Sequence, residues 1–589
     1  MNNKNSTPLE VGDAIREGYL RYFDTAFWLR DKTLMAERRK LLESDGTVFA
    51  DTLIEPLLPY APTDPIKDVL QGQGFDSQIA DQLAYMFFGP GNDGGFRLRK
   101  HQARALESSL STDPSGRQNI VVTAGTGSGK TECFLLPVLA RLLRERASWG
   151  SPTSLYRWWD RALEPERWRN SRSDCNRPAA VRSIILYPTN ALVEDQISRL
   201  RRALMAVSIV GAPQIFFGRY TGATPGKGEV PDGRSSTERV RRESELLRSL
   251  EKDRDSISSN DADLIAQFQD PRSSEMINRW DMIEAPPDIL ITNYSMLNVM
   301  LMRAREDRIF DLTKSWLQSD RRNCFTLVVD EMHTYRGTQG TEVSLMVRSL
   351  LRRLGLSSDS DQIRCIATSA SLSPESGRKY VQDFFGIDGN KFEIIPDDPI
   401  ALPKSKPLSR STFLDISIDD DPASRLTKIE TITQQVSLPI ALANACKKNS
   451  TYAPTTLTDI DQRLFDEDGT ADDGALGAVL SSIATTQTDK DIRYRAHLFA
   501  RMIRGMWACS NPNCTECNDR QDSNSRIGKL FSNPAVACKC GGRVLACIIQ
   551  CAVQRCHHSV GEIPTRQGSF QPVAIGTIVE VTKQLKLSM

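Results

Sequence analysis

Between Phe96 and Leu372, short and largely apolar runs recur between longer stretches with helical spacing. The runs are Ile120–Val122, Ser183–Tyr187, Asp288–Thr292, Phe325–Val329 and Arg364–Thr368. Each is too short for a helix and lacks strict polar alternation, the pattern of strands covered on both faces. Alternating with helices, they predict an α/β fold with a parallel sheet between two helical layers. Upstream, Ile15, Tyr19, Tyr22, Phe23, Ala26, Phe27 and Leu29 form a broad apolar face on a helix predicted from Val11 to about Glu43, a packing face by its pattern. A proline-rich break at Pro56–Pro65 and a glycine-rich turn at Gly89–Gly95 close this N-terminal helical region, drawn at 1–95.

Two polar segments interrupt the strand–helix rhythm, Ala147–Arg177 and Pro225–Arg279. The second contains Glu238–Glu245, whose mixed charges predict a solvated helix rather than a grip on nucleic acid. From Ser373 to about Asp491 the sequence is acidic and weakly periodic. It predicts a connector over 373–500 of small helices joined by solvated loops at Asp419–Asp421 and Asp466–Asp473. No internal repeat is visible.

Composition narrows the function classes. The 589 residues suffice for several cores, and a net charge of +1 excludes a polycation, so any nucleic-acid contact must be a local groove. No window approaches eighteen uninterrupted apolar residues, and the polar N-terminus lacks a signal-peptide core. Eight of the thirteen cysteines crowd from Cys509 onward. That asymmetry predicts a metal module in a reducing, cytoplasmic setting rather than a disulfide framework, with no membrane partner.

The densest chemistry lies in Ala124-Gly125-Thr126-Gly127-Ser128-Gly129-Lys130-Thr131, between the strand at Ile120–Val122 and a helix predicted over Glu132–Leu142. Glycines allow backbone N–H groups to face phosphate oxygens, and the helix N-terminus adds positive potential. The pattern predicts that Lys130 reaches the β- and γ-phosphates of ATP and that Thr131 ligates Mg²⁺. The first position is Ala124 where glycine is usual. Further along, the apolar run Phe325–Val329 ends in Asp330 and Glu331, with His333 beyond. In a phosphate-loop protein this strand is expected beside the loop. Asp330 then supports the Mg²⁺ shell, Glu331 deprotonates the attacking water, and His333 relays the nucleotide state.

These motifs, with several others in order over Phe96–Leu372, resemble the superfamily-two helicases of the DEAD/DEAH-box-like group. His101-Gln102 matches the glutamine that reads adenine in many members, and Gln102 is carried over in that role. Tyr187-Pro188-Thr189-Asn190, Tyr220-Thr221-Gly222-Ala223-Thr224 and Ile291-Thr292-Asn293-Tyr294-Ser295 resemble the family's strand-contacting motifs. Ala367-Thr368-Ser369-Ala370-Ser371 resembles its coupling motif, with Ser371 where threonine is commoner. The segment Asp330–Gly337, and more loosely Tyr22–Trp28, resemble large bacterial helicases with a cysteine cluster, including repair and phage-defence members. The resemblance implies a RecA-like first lobe over 96–372 that couples ATP hydrolysis to movement on a nucleic acid, DNA more than RNA. Two rival readings are a non-catalytic ATP- and nucleic-acid-binding subunit and a duplex translocase of a defence or nuclease complex.

Cys509, Cys514 and Cys517, followed by Cys538-Lys539-Cys540-Gly541-Gly542, have the spacing of a tetrahedral zinc site within a module at 501–550. The preferred ligands are Cys509, Cys514, Cys538 and Cys540, with Cys517 able to replace one of the first pair. Free thiols or iron–sulfur ligation are the alternatives. Cys547, Cys551, Cys556, His557 and His558 match no ligand spacing well, and 551–589 is an atypical tail. After Leu372 there is neither a Gln-x-x-Gly-Arg-x-Gly-Arg-like segment nor a second strand–helix series. The expectation is therefore a truncated or split motor needing a second lobe or complex subunit in trans. By itself it would bind ATP–Mg²⁺ weakly, hydrolyse it slowly at most, and unwind nothing.

Overall fold

In the computed structural model, the described residues run from 8 to 547, apart from 29–31, 45, 90, 113–116, 126, 151–154, 161–166, 207–212, 233–237, 258–261, 371, 373, 418–420, 449–450, 467–473, 487–491, 501–505, 518–526 and 534. The described residues form two compact units, one within 59–400 and one combining 8–58 with 401–547.

The first unit is built on seven strands: β1 (Asn119–Thr123), β2 (Ser183–Tyr187), β3 (Phe217–Tyr220), β4 (Ile289–Asn293), β5 (Phe325–Val329), β6 (Ile363–Ser369) and β7 (Phe392–Pro396). They lie in the order β7-β1-β6-β5-β2-β4-β3, every neighbouring pair parallel. Alternate side chains supply two separate cores. Ile120, Val122, Ile185, Ile291, Val328 and Ile366 pack under the helices at Ile66–Gly72, Ser77–Phe88, Lys100–Leu110, Lys130–Arg146 and Asn190–Ala206. Val121, Ile184, Leu186, Leu290, Leu327 and Ala367 face the helices at Tyr294–Met302, Asp307–Ser319, Gly337–Arg353 and Pro374–Phe385. This is the predicted α/β, RecA-like sheet, with all five predicted strands present.

Several expectations are corrected. The sheet gains two edge strands, β3, which is largely buried but broken by Gly218 and Arg219, and β7, which is only partly buried and ends in proline, as an edge tolerates. The unit extends beyond 96–372, because residues 59–95 and 373–400 pack with the sheet. The polar interruptions are not simply solvated. Trp158, Trp159, Trp168 and Trp280 form a buried cluster under Val240 and Leu247 of the Glu238–Asp255 helix, whose other faces are exposed. Asp281 is buried there, accepting from Trp158 Nε1 (3.0 Å) and the Ser171 N–H (2.9 Å).

In the second unit, strand Leu53–Leu57 pairs antiparallel with Thr455–Thr456 on one side and Arg493–His497 on the other. Helices Arg410–Ser417, Leu438–Ala445, Leu457–Leu464 and Ala475–Thr486 bury Phe413, Leu442, Ile460 and Leu476 around Ile54. The acidic connector thus has a core of its own, shared with N-terminal sequence. Asp421 caps the Pro422–Gln435 helix by accepting from Ala423 and Ser424 N–H groups. The predicted N-terminal helix is two, Pro8–Ala26 and Lys32–Glu43. The cysteine-rich segment is a three-stranded antiparallel sheet, Met506–Cys509 between Leu530–Phe531 and Val544–Cys547. Among the described residues no helix is long and apolar enough to cross a membrane.

Candidate nucleotide site and cysteine cluster

The phosphate loop leaves the C-terminal end of β1 and enters the Lys130–Arg146 helix, as its spacing predicted. Gly127 and Gly129 adopt positive φ (83° and 84°), and Gly129 caps the helix. A Cβ on Gly129 would sit 2.3 Å from Gln102 Nε2, so both conformation and space require glycine there. Ala124 donates its N–H to Ser369 O (3.1 Å), fastening the loop to β6. Thr126 and Ser371 lie outside the described residues.

Gln102 is buried, with Oε1 accepting from the Arg99 N–H (3.1 Å) and Nε2 donating to Gly129 O (3.3 Å). Its amide is thus engaged by Arg99 at the helix start and by Gly129 of the loop.

The sheet order inserts β6 between β1 and β5, so the phosphate loop and the acidic strand end stand about 10 Å apart along the hydrogen-bonding direction. Side chains bridge that interval. Lys130 Nζ donates to Glu331 Oε1 at 3.0 Å, with only 9% of the lysine side chain and 23% of the glutamate exposed. Thr368, on the intervening strand, donates its hydroxyl to Asp330 Oδ1 and accepts from the Glu331 N–H (3.1 Å). Thr368 belongs to the Ala367–Ser371 motif, whose spacing alone does not place it at the acids. Burial raises the Asp330 carboxyl above its ordinary value, while the Thr368 hydrogen bond opposes that rise. A nearly buried carboxylate is a hard oxygen donor of the kind that suits a divalent cation. Glu331 is the one described non-glycine residue with positive φ (50°). His333 Nδ1 accepts from the Ala370 N–H (3.2 Å) and lies 3.3 Å from Glu331 Oε2; burial lowers the imidazole's pKa, and the Glu331 charge opposes that fall.

At the C-terminal ends of β2, β3 and β4 the strand-contacting motifs meet. Asn293 caps the Tyr294–Met302 helix through Met296 N–H (2.7 Å) and donates to Asn190 Oδ1 (2.5 Å). Thr224 and Thr292 turn inward, their hydroxyls donating to Arg219 O (3.0 Å) and Tyr220 O (2.7 Å). Those threonines therefore knit the loops together, and the outward groups are Thr189, Asn190, Gly222, Ala223 and Ser295.

Cys509, Cys514, Cys538 and Cys540 bring their sulfurs within 4.8 Å of one another. Cys517 is not in this set. Room for the four-sulfur cluster depends on glycines: a Cβ on Gly542 would lie 2.5 Å from Cys509 Sγ, and one on Gly528 2.4 Å from Cys514 Cβ. The Asn511 N–H donates to Cys509 Sγ (3.4 Å). Cys551, Cys556, His557 and His558 lie outside the described residues.

A family model described as DEAD/DEAH box helicase matches residues 99–218. The Druantia protein DruE of Escherichia coli is 29% identical over 92% of this chain and 32% of its own length. An uncharacterized ATP-dependent helicase of Methanocaldococcus jannaschii is 22% identical over 51% of this chain and 29% of its own length. The chain therefore spans about a third of the length of the curated relatives it matches. Among solved structures, the DUF1998 helicase MrfA bound to DNA matches at 19% identity with a TM-score of 0.32, over 62% of this chain and 32% of that one. Mss116p bound to single-stranded RNA and AMP-PNP matches at 13% identity with a TM-score of 0.34, over 65% of this chain and 56% of that one. With its phosphate loop, its acidic strand end and the match over 99–218, the chain carries a DEAD/DEAH-box helicase domain.

Proposed function

We propose that this chain supplies the ATP-binding lobe of an ATP-dependent helicase acting on nucleic acid, DNA in preference to RNA. The observation that carries the reading is the linked set Lys130–Glu331 and Asp330–Thr368, assembled across β1, β6 and β5 at the mouth of the phosphate loop. Thr131 and Asp330 are the residues that would hold Mg²⁺, which when bound offsets phosphate charge. In the structure Lys130 is paired with Glu331. Triphosphate entry gives Lys130 a stronger anionic partner and frees the Glu331 carboxylate to orient and deprotonate water. His333, accepting from Ala370, links that event to the coupling motif. The outward Thr189, Asn190 and Ser295 groups suit phosphate contacts along a strand, which position it without reading sequence. The preference for DNA rests on the resemblance of Asp330–Gly337 to large bacterial repair and defence helicases. A second lobe would complete the site with arginines, worth about 10³ to 10⁵ in rate for phosphoryl transfer.

The four clustered thiols support a structural zinc ion held by Cys509, Cys514, Cys538 and Cys540, with no coordination position left for water. Reduced thiols of this kind fit a cytoplasmic location.

The test is ATP hydrolysis by the purified chain, with and without single-stranded DNA, beside Glu331→Gln. The variant is expected to bind an ATP analogue within a few-fold of the parent and to lose about 10²-fold or more of any DNA-stimulated turnover. Turnover unaffected by Glu331→Gln, or no nucleotide binding by the parent chain, would overturn the reading.

A further inference from the structure

The first turn of the Lys100–Leu110 helix meets the phosphate loop at three consecutive carbonyls. Arg99 Nη1 donates to Gly127 O (3.3 Å), His101 Nε2 contacts Ser128 O (2.9 Å), and Gln102 Nε2 donates to Gly129 O (3.3 Å). A carbonyl only accepts, so His101 carries its proton on Nε2. Its Nδ1 is buried and has no hydrogen-bond partner among the described residues. The imidazole is 1% exposed and wedged by Tyr60, whose ring meets it edge-on at 5.2 Å. Arg99 lies over the same tyrosine ring (4.8 Å). The Tyr60 hydroxyl donates to Asp397 Oδ2 (3.0 Å), which also accepts the Gly125 N–H (3.3 Å). The loop is thus gripped from outside at Gly125, Gly127, Ser128 and Gly129.

Peptide planarity gives this grip a consequence. In a trans peptide the carbonyl of one residue and the N–H of the next point in opposite directions. Holding Ser128 O and Gly129 O against the helix turns the N–H groups of Gly129 and Lys130 toward the opposite side, the mouth of the loop. The Ser128 N–H, behind the first held carbonyl, closes a turn to Gly125 O (3.4 Å).

We propose that His101 is a positioning residue of the nucleotide site. With Arg99 and Gln102 it fixes the peptide planes of the phosphate loop so that their N–H groups are aimed before any phosphate arrives. This rests on the nucleotide-binding reading above and extends it. It assigns the loop's order to a helix turn outside the loop, and it gives Gln102 a structural task at Gly129 O. The energy at stake belongs to phosphates and not to the base.

The experiment compares full-length variants for displacement of a fluorescent N-methylanthraniloyl ATP by ATP, ADP and adenosine in Mg²⁺ buffer, with thermal midpoints measured alongside. His101→Met, which fills the space but cannot donate, is expected to weaken ATP and ADP about tenfold and leave adenosine within about twofold. His101→Gln places a donor nitrogen at similar reach and is expected to recover ATP affinity to within about threefold. Arg99 is only partly buried, so Arg99→Met should fold regardless, with a loss of about threefold confined to ATP and ADP. Equal ATP affinity in His101→Met and the parent would overturn the proposal, as would equal losses for ATP and adenosine. Lys130→Ala separates the two readings. If it binds ATP like the parent, or the parent binds none, the nucleotide reading fails and this one with it. If Lys130→Ala loses binding while His101→Met keeps it, only the positioning role falls.

Discussion

At the phosphate loop, polar groups stand on a seven-stranded sheet faced by two large apolar cores. At the cysteine cluster, Cys509 ends one strand and Cys514, Cys538 and Cys540 lie in the turns between strands of two to four residues, over a core of Met506, Ala508, Ile527 and Leu530, with Leu34 and Leu41 packed against it. The first site is held by its fold. In the second, so little apolar surface is buried that the ligand itself is expected to hold the fold, the usual position of small metal modules. The comparison explains why the nucleotide site can carry strain, such as positive φ at Glu331, on neighbours that over-determine it.

Metal removal tests this contrast most strongly. A chelator is expected to release about one zinc per chain and to abolish hydrogen-exchange protection over 506–547, since structural zinc in small domains contributes on the order of 10 kcal/mol. Protection over 119–146 is expected to persist. A cysteine segment that stays protected without metal would break the comparison.

The lobe's tolerance of costly groups can be measured at Asp281. Burial pushes its carboxyl up to about 6, against hydrogen bonds from Ser171 and Trp158 that favour the charged form. Between the ordinary carboxylate value and about 6 the folded state holds a proton that the unfolded state has lost. Stability therefore falls as pH rises through that window, and near neutrality the penalty is of order 3 kcal/mol. Tryptophan fluorescence of the Trp158–Trp280 cluster should follow unfolding at higher denaturant at pH 5 than at pH 7. Asp281→Asn is expected to flatten that dependence; an unchanged slope would place the titration elsewhere.

The smallest expected effect, and the most local, is Gly129→Ala. Positive φ costs an L-residue about 1–2 kcal/mol, and the new methyl must displace the Gln102 amide. ATP-analogue affinity is expected to fall at least about tenfold while the melting temperature moves by only a few degrees. A variant that unfolds would show that the loop stabilises the lobe, and the contrast with the cysteine module would weaken.

Legibility in the sequence followed burial. Central strands such as Ile120–Val122 and Phe325–Val329 were visible because both faces are covered and nearly every position is apolar. The edge strands β3 and β7 were not: close packing against Met276 and Met282 requires Gly218 in β3, and partial burial leaves glutamate and proline in β7. The four tryptophans escaped notice because they lie scattered through polar segments that join only on folding. Asp330, Glu331 and Lys130 were legible as spacing, whereas their bridging through Thr368 needed the order of strands. His101 carried one signal, its place immediately before Gln102.

The sequence by itself determined the phosphate loop between strand and helix, the acidic strand end and the parallel α/β class, because each follows from local period and residue chemistry; it narrowed the clustered cysteines to five, and folding gathered Cys509, Cys514, Cys538 and Cys540. Tertiary structure alone decided that β6 enters between β1 and β5, that a neighbouring helix turn holds the loop's carbonyls, and that residues 8–58 share a unit with 401–547. Those outcomes depend on which distant surfaces bury one another, and burial across the chain has no period that a linear sequence displays.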